Sequence, residues 1–188
     1  MLEDKVKAVE EVFRHLDESI FKLQHATGLH CKFGCGKCCL KPDIEATALE
    51  FLPFALHLYR TGKVEEWYEM CRSAQSSICL ILNPTLPGSG HCSEYPYRGL
   101  ICRLFGYSAR TNKYGVRELV TCQIIKTEQV VAYDKAESQI KGGGEVPVMS
   151  EYYMRMHAID PDLSRDFYPI NQAIRKAIEA VLQYYAYR

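Results

Sequence analysis

Apolar residues recur in steps of four and three along the first positions of the chain: Leu2, Val6, Val9, Phe13, Leu16, Ile20 and Leu23. That spacing places all seven on one stripe of a helix, with charged residues on the other faces. An N-terminal helix is expected over 2–26. Three heptads are few for a coiled coil. The stripe therefore reads first as a helix packed on its own domain, and second as a surface for a protein partner. Residues 28–42 (GLHCKFGCGKCCLKP) break the pattern and read as a loop. Asp43 is placed to cap a helix running through 44–60, which Pro53 kinks or splits and Thr61-Gly62 ends. A second helix is expected over 64–76, with Val64, Trp67, Tyr68, Cys71 and Ala74 on one face. The Pro- and Gly-rich stretch 83–92 reads as loop. Residues 101–122 hold the only strand-like material, a candidate short β-hairpin turning near Asn112–Gly115. A helix over 128–141 and a last one over 169–187 follow. The last turns Ile170, Ile174, Ala177, Ile178, Val181, Leu182 and Tyr185 inward. The pattern predicts a mainly α fold, with helices around an irregular cysteine-rich module.

Length and charge narrow the function. At 188 residues the chain is expected to be one domain, 1–188, with the cysteine-rich metal-binding module at 31–122 and C-terminal helices over 128–187. Lysine plus arginine balances aspartate plus glutamate at 23 each, which argues against a nucleic-acid binder and against a polybasic membrane anchor. No apolar run approaches the roughly 18 residues of a spanning helix. The charged N-terminal stretch has no signal-peptide core, so the expected location is cytoplasmic. The glycines 142–144 follow a helix and lack the Lys-Ser/Thr of a phosphate loop, which speaks against nucleotide binding. No HExxH, GxSxG or Walker pattern occurs. Several of the 13 tyrosines gather near the C-terminus, where they read as a packing edge with hydroxyls toward water.

Cysteine is the anomaly. There are nine, at 31, 35, 38, 39, 71, 79, 92, 102 and 122. A reducing compartment and an odd count disfavour a disulfide framework and favour a metal or cluster site. Thiolates are soft donors that bind Zn²⁺ and iron well. Gly34 and Gly36 flank Cys35 and let the backbone curl around an ion. Four thiolates do not remain ionised together without a cation. Cys71 falls on the apolar face of a predicted helix and reads as core. The candidate ligands are the other eight: Cys31, Cys35, Cys38, Cys39, Cys79, Cys92, Cys102 and Cys122. A single site would draw first on Cys31, Cys35, Cys38 or Cys39, and Cys102, with Cys122 next. Adjacent Cys38 and Cys39 would serve two metals, or one would be a ligand and the other a neighbour. His30 and His91 each precede a cysteine and are lesser candidates. Arg98 and Arg103 are candidates to offset thiolate charge, against a plain surface pairing with Glu94 or Glu118.

Cys31-x3-Cys35-x2-Cys38-Cys39, then Cys79 with Leu82, Cys92 with Tyr95, Arg98, Cys102-Arg103 and Cys122 resemble the bacterial cysteine-cluster family (YkgJ-like). Its signature is CxxCxxCC, and its members are described as zinc- or iron-chelating. The resemblance runs from Cys31 to Cys122 and takes in eight of the nine cysteines. It departs in a first interval of three residues rather than two, and in Gly99 where proline is usual. It implies metal chelation. It also extends to flagellin lysine-N-methylase, which carries an iron–sulfur cluster, and so implies an alternative: a cluster-dependent enzyme, a protein methyltransferase or a redox protein. The interval Cys31-x3-Cys35-x2-Cys38 equals the cluster loop of radical-SAM enzymes, but the chain has no βα repeat to build their barrel. Ligand type and spacing leave an iron–sulfur cluster and zinc both open, with a slight lean to the cluster. The first expectation is a metal-binding module.

Overall fold

A computed structural model describes residues 1–32, 34–86 and 89–187; at Thr85, Leu86 and Ser89 only the backbone is described. The chain is mainly α, with short two-stranded antiparallel pairings among the described residues. It forms two compact units. One comprises Met1–Glu11, Gly34–Leu100 and Met156–Arg188, the other Val12–Phe33 and Ile101–Arg155. Helix α1, Leu2–Thr27, contributes to both. All seven residues of its predicted ladder are buried. No helix among the described residues is long and apolar enough to cross a membrane.

The first unit is organised by the last helix. Helix α9, Ile170–Ala186, buries Ile170, Ala173, Ile174, Ala177, Ile178 and Val181. It packs on a 3₁₀ turn, Ala48–Phe51, on α2, Leu52–Arg60, and on α3, Val64–Ser73. The helix expected from 44 to 60, kinked or split at Pro53, is therefore confined to its second part. Strand β1, Glu45–Thr47, comes first and pairs antiparallel with a later strand, Phe167–Pro169. Glu50 then accepts from the Thr47 amide (2.9 Å) and hydroxyl (3.2 Å), closing the 3₁₀ turn. Pro53 falls in the first turn of α2, where its missing N–H costs nothing. Gly62, at φ +70°, ends that helix as the sequence predicts.

Residues 83–92, expected as loop, form a hairpin instead. Strand β2, Leu82–Leu86, pairs with β3, Ser89–Cys92, with a shift in register between Pro84 and Leu86. Proline cannot donate to the ladder, and its place beside a bulge is the one such a strand tolerates. Helix α8, Pro161–Ser164, is capped by Asp160, and Tyr184 and Tyr185 on α9 both donate to Glu3.

The second unit carries the hairpin that the sequence does predict. Strands β4, Ser108–Thr111, and β5, Arg117–Val120, pair from Ser108 with Val120 to Thr111 with Arg117. Asn112 Oδ1 accepts from the amides of Tyr114 and Val116 and shapes the turn. Residues 101–104, read as strand, belong instead to a short helix α4, Leu100–Leu104. Helices α5, Gln123–Glu128, and α6, Val130–Lys141, pack on the hairpin around Leu29, Ala109, Leu119, Ile125, Ala136 and Ile140. Helix α7, Met149–Ile159, follows the glycines.

Candidate metal centre

The cysteine loop and the β2–β3 hairpin meet in the first unit. Cys39 N–H donates to Gly36 O (2.9 Å) and Lys41 N–H to Cys38 O (3.3 Å), so the chain winds through 36–41. Gly34 and Gly36 both have positive φ, +70° and +56°. Only Gly36 is also hemmed in. A Cβ there would stand 2.3 Å from Gly90 O and 2.6 Å from Gly90 C. A Cβ on Gly90 would meet Asn83 O at 2.8 Å and the Leu82 side chain at 2.9 Å. Loop backbone thus lies directly on hairpin backbone, with no space for a side chain on either partner.

That contact sets the cysteines. Cys38 and Cys39 follow Gly36 on the loop, and their sulfurs are 3.9 Å apart. Cys92 ends β3 opposite Leu82. Cys79 lies just before β2, and Leu82 N–H donates to its carbonyl (3.1 Å). Ser93 donates to Ile81 O through both its amide (3.0 Å) and its hydroxyl (2.9 Å), tying the Cys79 stretch to the Cys92 stretch. Asn171, buried on α9, clamps the same stretch. Its Oδ1 accepts from Leu80 N–H (2.9 Å), and its Nδ2 donates to Ile78 O (2.8 Å) and Ser76 O (3.2 Å). The sequence reading missed Asn171. Its signal was an amide side chain one step from Ile170 at the start of an apolar helix face.

The thiols feel one another. Burial pushes the Cys79 thiol up to about 11; the Ile81 and Leu82 amides oppose this, while Cys92 and Cys38 add to it. Burial also pushes Cys92 up, with the Glu94 amide and Arg98 opposing and Glu94 and Cys38 adding. Cys38 is drawn down to about 6, first by the hydrogen bond from the Cys39 thiol, against burial. Three sulfurs on separate segments therefore repel as thiolates, which is the electrostatic setting that a divalent cation reverses. The donor set fits a thiophilic metal: soft ligands, backbone N–H groups directed at sulfur, and Arg98 beside Cys92. Among the described residues, no three His, Cys, Asp or Glu side chains stand ready to close on one ion, and none of the nine cysteines is in a disulfide.

The remaining predicted residues are distributed as follows. Cys35 is half-buried on the loop. Cys31, Cys102 and Cys122 belong to the second unit. Cys31 is exposed, Cys102 lies on α4, and Cys122 precedes α5 and packs on that unit's core. His30 is tied to Gln129 by two hydrogen bonds, and His91 is exposed on β3. Arg98 lies over the Tyr95 ring, 3.9 Å from its centroid. Arg103 is buried. It pairs with Asp17 on α1 and lies over the Phe13 ring; Asp17 is neither of the acids the sequence suggested for it. Cys71 is buried on α3, its thiol pushed up to about 11 by burial.

The family model CxxCxxCC, described as "putative zinc- or iron-chelating domain", matches residues 30–135, more than half of the chain, and the protein belongs to that family. None of the curated proteins and none of the solved structures compared matches the chain.

Proposed function

We propose that the protein is a metal-binding module in which Cys38, Cys39, Cys79 and Cys92 hold one tetrahedral ion, zinc before iron. The supporting observation is the 3.9 Å between the Cys38 and Cys39 sulfurs. With Zn–S bonds of about 2.3 Å, the edge of a tetrahedral thiolate site is about 3.8 Å. In a cubane each thiolate takes its own iron, and two sulfurs this close do not suit separate corners. The spacing speaks for two thiolates on one metal atom and against a cubane, and the choice of zinc rests on the closed four-thiolate donor set.

The chain's own residues prepare the site. Asn171 fixes the segment that carries Cys79. The Gly36–Gly90 contact brings Cys38 and Cys39 to the hairpin. The amides of Ile81, Leu82 and Glu94 favour the ionised sulfurs of Cys79 and Cys92. Arg98 offsets part of the net charge of −2 that four thiolates leave on a divalent ion. Bound there, zinc would cross-link loop to hairpin and supply folding free energy, roughly 10–16 kcal/mol in small zinc domains. Cys31, Cys35, Cys102 and Cys122 stand outside this set.

Metal and acid-labile sulfide are to be measured on protein purified without oxygen. The expected content is one zinc per chain without sulfide, lost in Cys38→Ser, Cys39→Ser, Cys79→Ser and Cys92→Ser and kept in Cys31→Ser, Cys102→Ser and Cys122→Ser. A brown protein with equal iron and sulfide would overturn the single-ion reading and restore the cluster-dependent enzyme.

A further inference from the structure

The second unit contains a pocket of about 640 Å³, within the size range of small-molecule sites. Leu23, Val148 and Tyr152, all buried, lie beneath a lining that is otherwise mostly polar. The Tyr152 hydroxyl donates to Ser19 Oγ (3.4 Å), and Ser19 donates in turn to His15 O (3.0 Å). Three cations, Lys22, Arg117 and Arg155, stand around the pocket against two carboxylates, Glu145 and Glu151. Arg117 and Glu151 face each other at 3.7 Å and largely offset one another. Among the described residues Lys22 and Arg155 form no ion pair. The Arg155 guanidinium lies over the Tyr152 ring, 4.8 Å from its centroid.

The glycine run at one wall offers no amide cradle. Gly142, Gly143 and Gly144 donate to Ser138 O, Ile140 O and Gln139 O at 3.0, 3.2 and 2.9 Å, closing the end of α6. Gly144 is needed for that closure, since a Cβ on it would stand 2.5 Å from Gln139 Cγ. With the glycine amides taken up, the cationic groups at the pocket are side chains, which suits a single anionic head.

We infer that this pocket binds a small organic anion, with a carboxylate or phosphate head between Lys22 and Arg155 and its body against Ala26 and Val146. Guanidinium and ammonium donors directed at one anionic group make the stronger class of hydrogen bond. The inference stands on the second unit alone and is independent of the metal reading.

The test is a ¹H–¹⁵N titration of the metal-loaded full chain with benzoate, phenyl phosphate and, as the charge-reversed control, benzylamine. The two anions separate a carboxylate head from a phosphate head. Saturable shifts are expected at residues 19–26 and 143–155 with at least one anion and not with benzylamine. In Lys22→Gln/Arg155→Gln the affinity is expected to fall at least tenfold, with signals outside the pocket unchanged. Should the double variant lose its fold, the exposed Lys22→Gln alone is expected to weaken binding at least threefold. Absent or scattered shifts, equal response to benzylamine, or unchanged affinity in a folded variant would overturn the assignment.

Discussion

Gly36 combines two constraints that rarely coincide: a left-handed backbone, and a neighbour 2.3 Å from where its Cβ would be. Gly34 has only the first, with nothing within 4 Å. The pair allows strain and close approach to be separated. Gly34→Ala carries a left-handed penalty of about 1–2 kcal/mol. Gly36→Ala carries that penalty and must also lift the loop off the hairpin. Competition with a chelating dye is expected to show zinc affinity reduced about tenfold in Gly34→Ala and by clearly more in Gly36→Ala, with similar far-UV spectra. Equal affinities in the two variants would show that the contact does not assemble the site. The sequence pointed to glycines around Cys35 as an aid to curling. It did not show that one of them touches Gly90, because that partner lies more than fifty residues away in sequence.

At the scale of elements, the α1 and α9 ladders were legible because a 3.6-residue period survives any tertiary context that buries one face. The hairpin at 82–92 was not. Its strands are short, one contains Pro84, and the alternation that marks a half-buried strand is missing. Strand β1 was equally hidden: three residues, Glu45–Thr47, pair with Phe167–Pro169 far along the chain. Asn171 joins these elements through the Cys79 segment. Replacing it with alanine removes two donor contacts and one acceptor and leaves the half-buried Leu80 and Ile78 backbone groups without their partner. The expected cost is about 1–3 kcal/mol, read by chemical denaturation. The segment around 76–80 is expected to become the first site of limited proteolysis, and zinc affinity is expected to fall with it. Unchanged cleavage and affinity would remove Asn171 from the account of the site.

At the scale of the molecule, stability has a pH limb that is separate from the thiols. Asp160 caps α8 and accepts from Lys5 Nζ (2.6 Å) and from the amides of Asp162 and Leu163 (3.0 Å each). Burial alone would raise its carboxyl; Lys5 and the two amides outweigh it, and the net shift is downward. A lowered carboxyl in the folded state stabilises above the unfolded value of about 4, and that stabilisation is lost as pH falls through the folded value. Wild type is expected to exceed Asp160→Asn by about 1–2 kcal/mol at pH 7, with the gap closing below about pH 4. A gap independent of pH would assign Asp160 a packing role only. The sequence by itself determined the helical class, the buried faces of the first and last helices, the hairpin at 108–120 and membership of a chelating family. These rest on local periodicity, on turn chemistry and on a motif of fixed spacing. Tertiary structure alone decided which segments meet: the Gly36–Gly90 contact, the Asn171 clamp, the burial of Arg103 against Asp17, and the pocket under Lys22 and Arg155. Each joins residues far apart in sequence, and such pairings are selected by packing and by the pairing of buried polar groups, which no local pattern encodes.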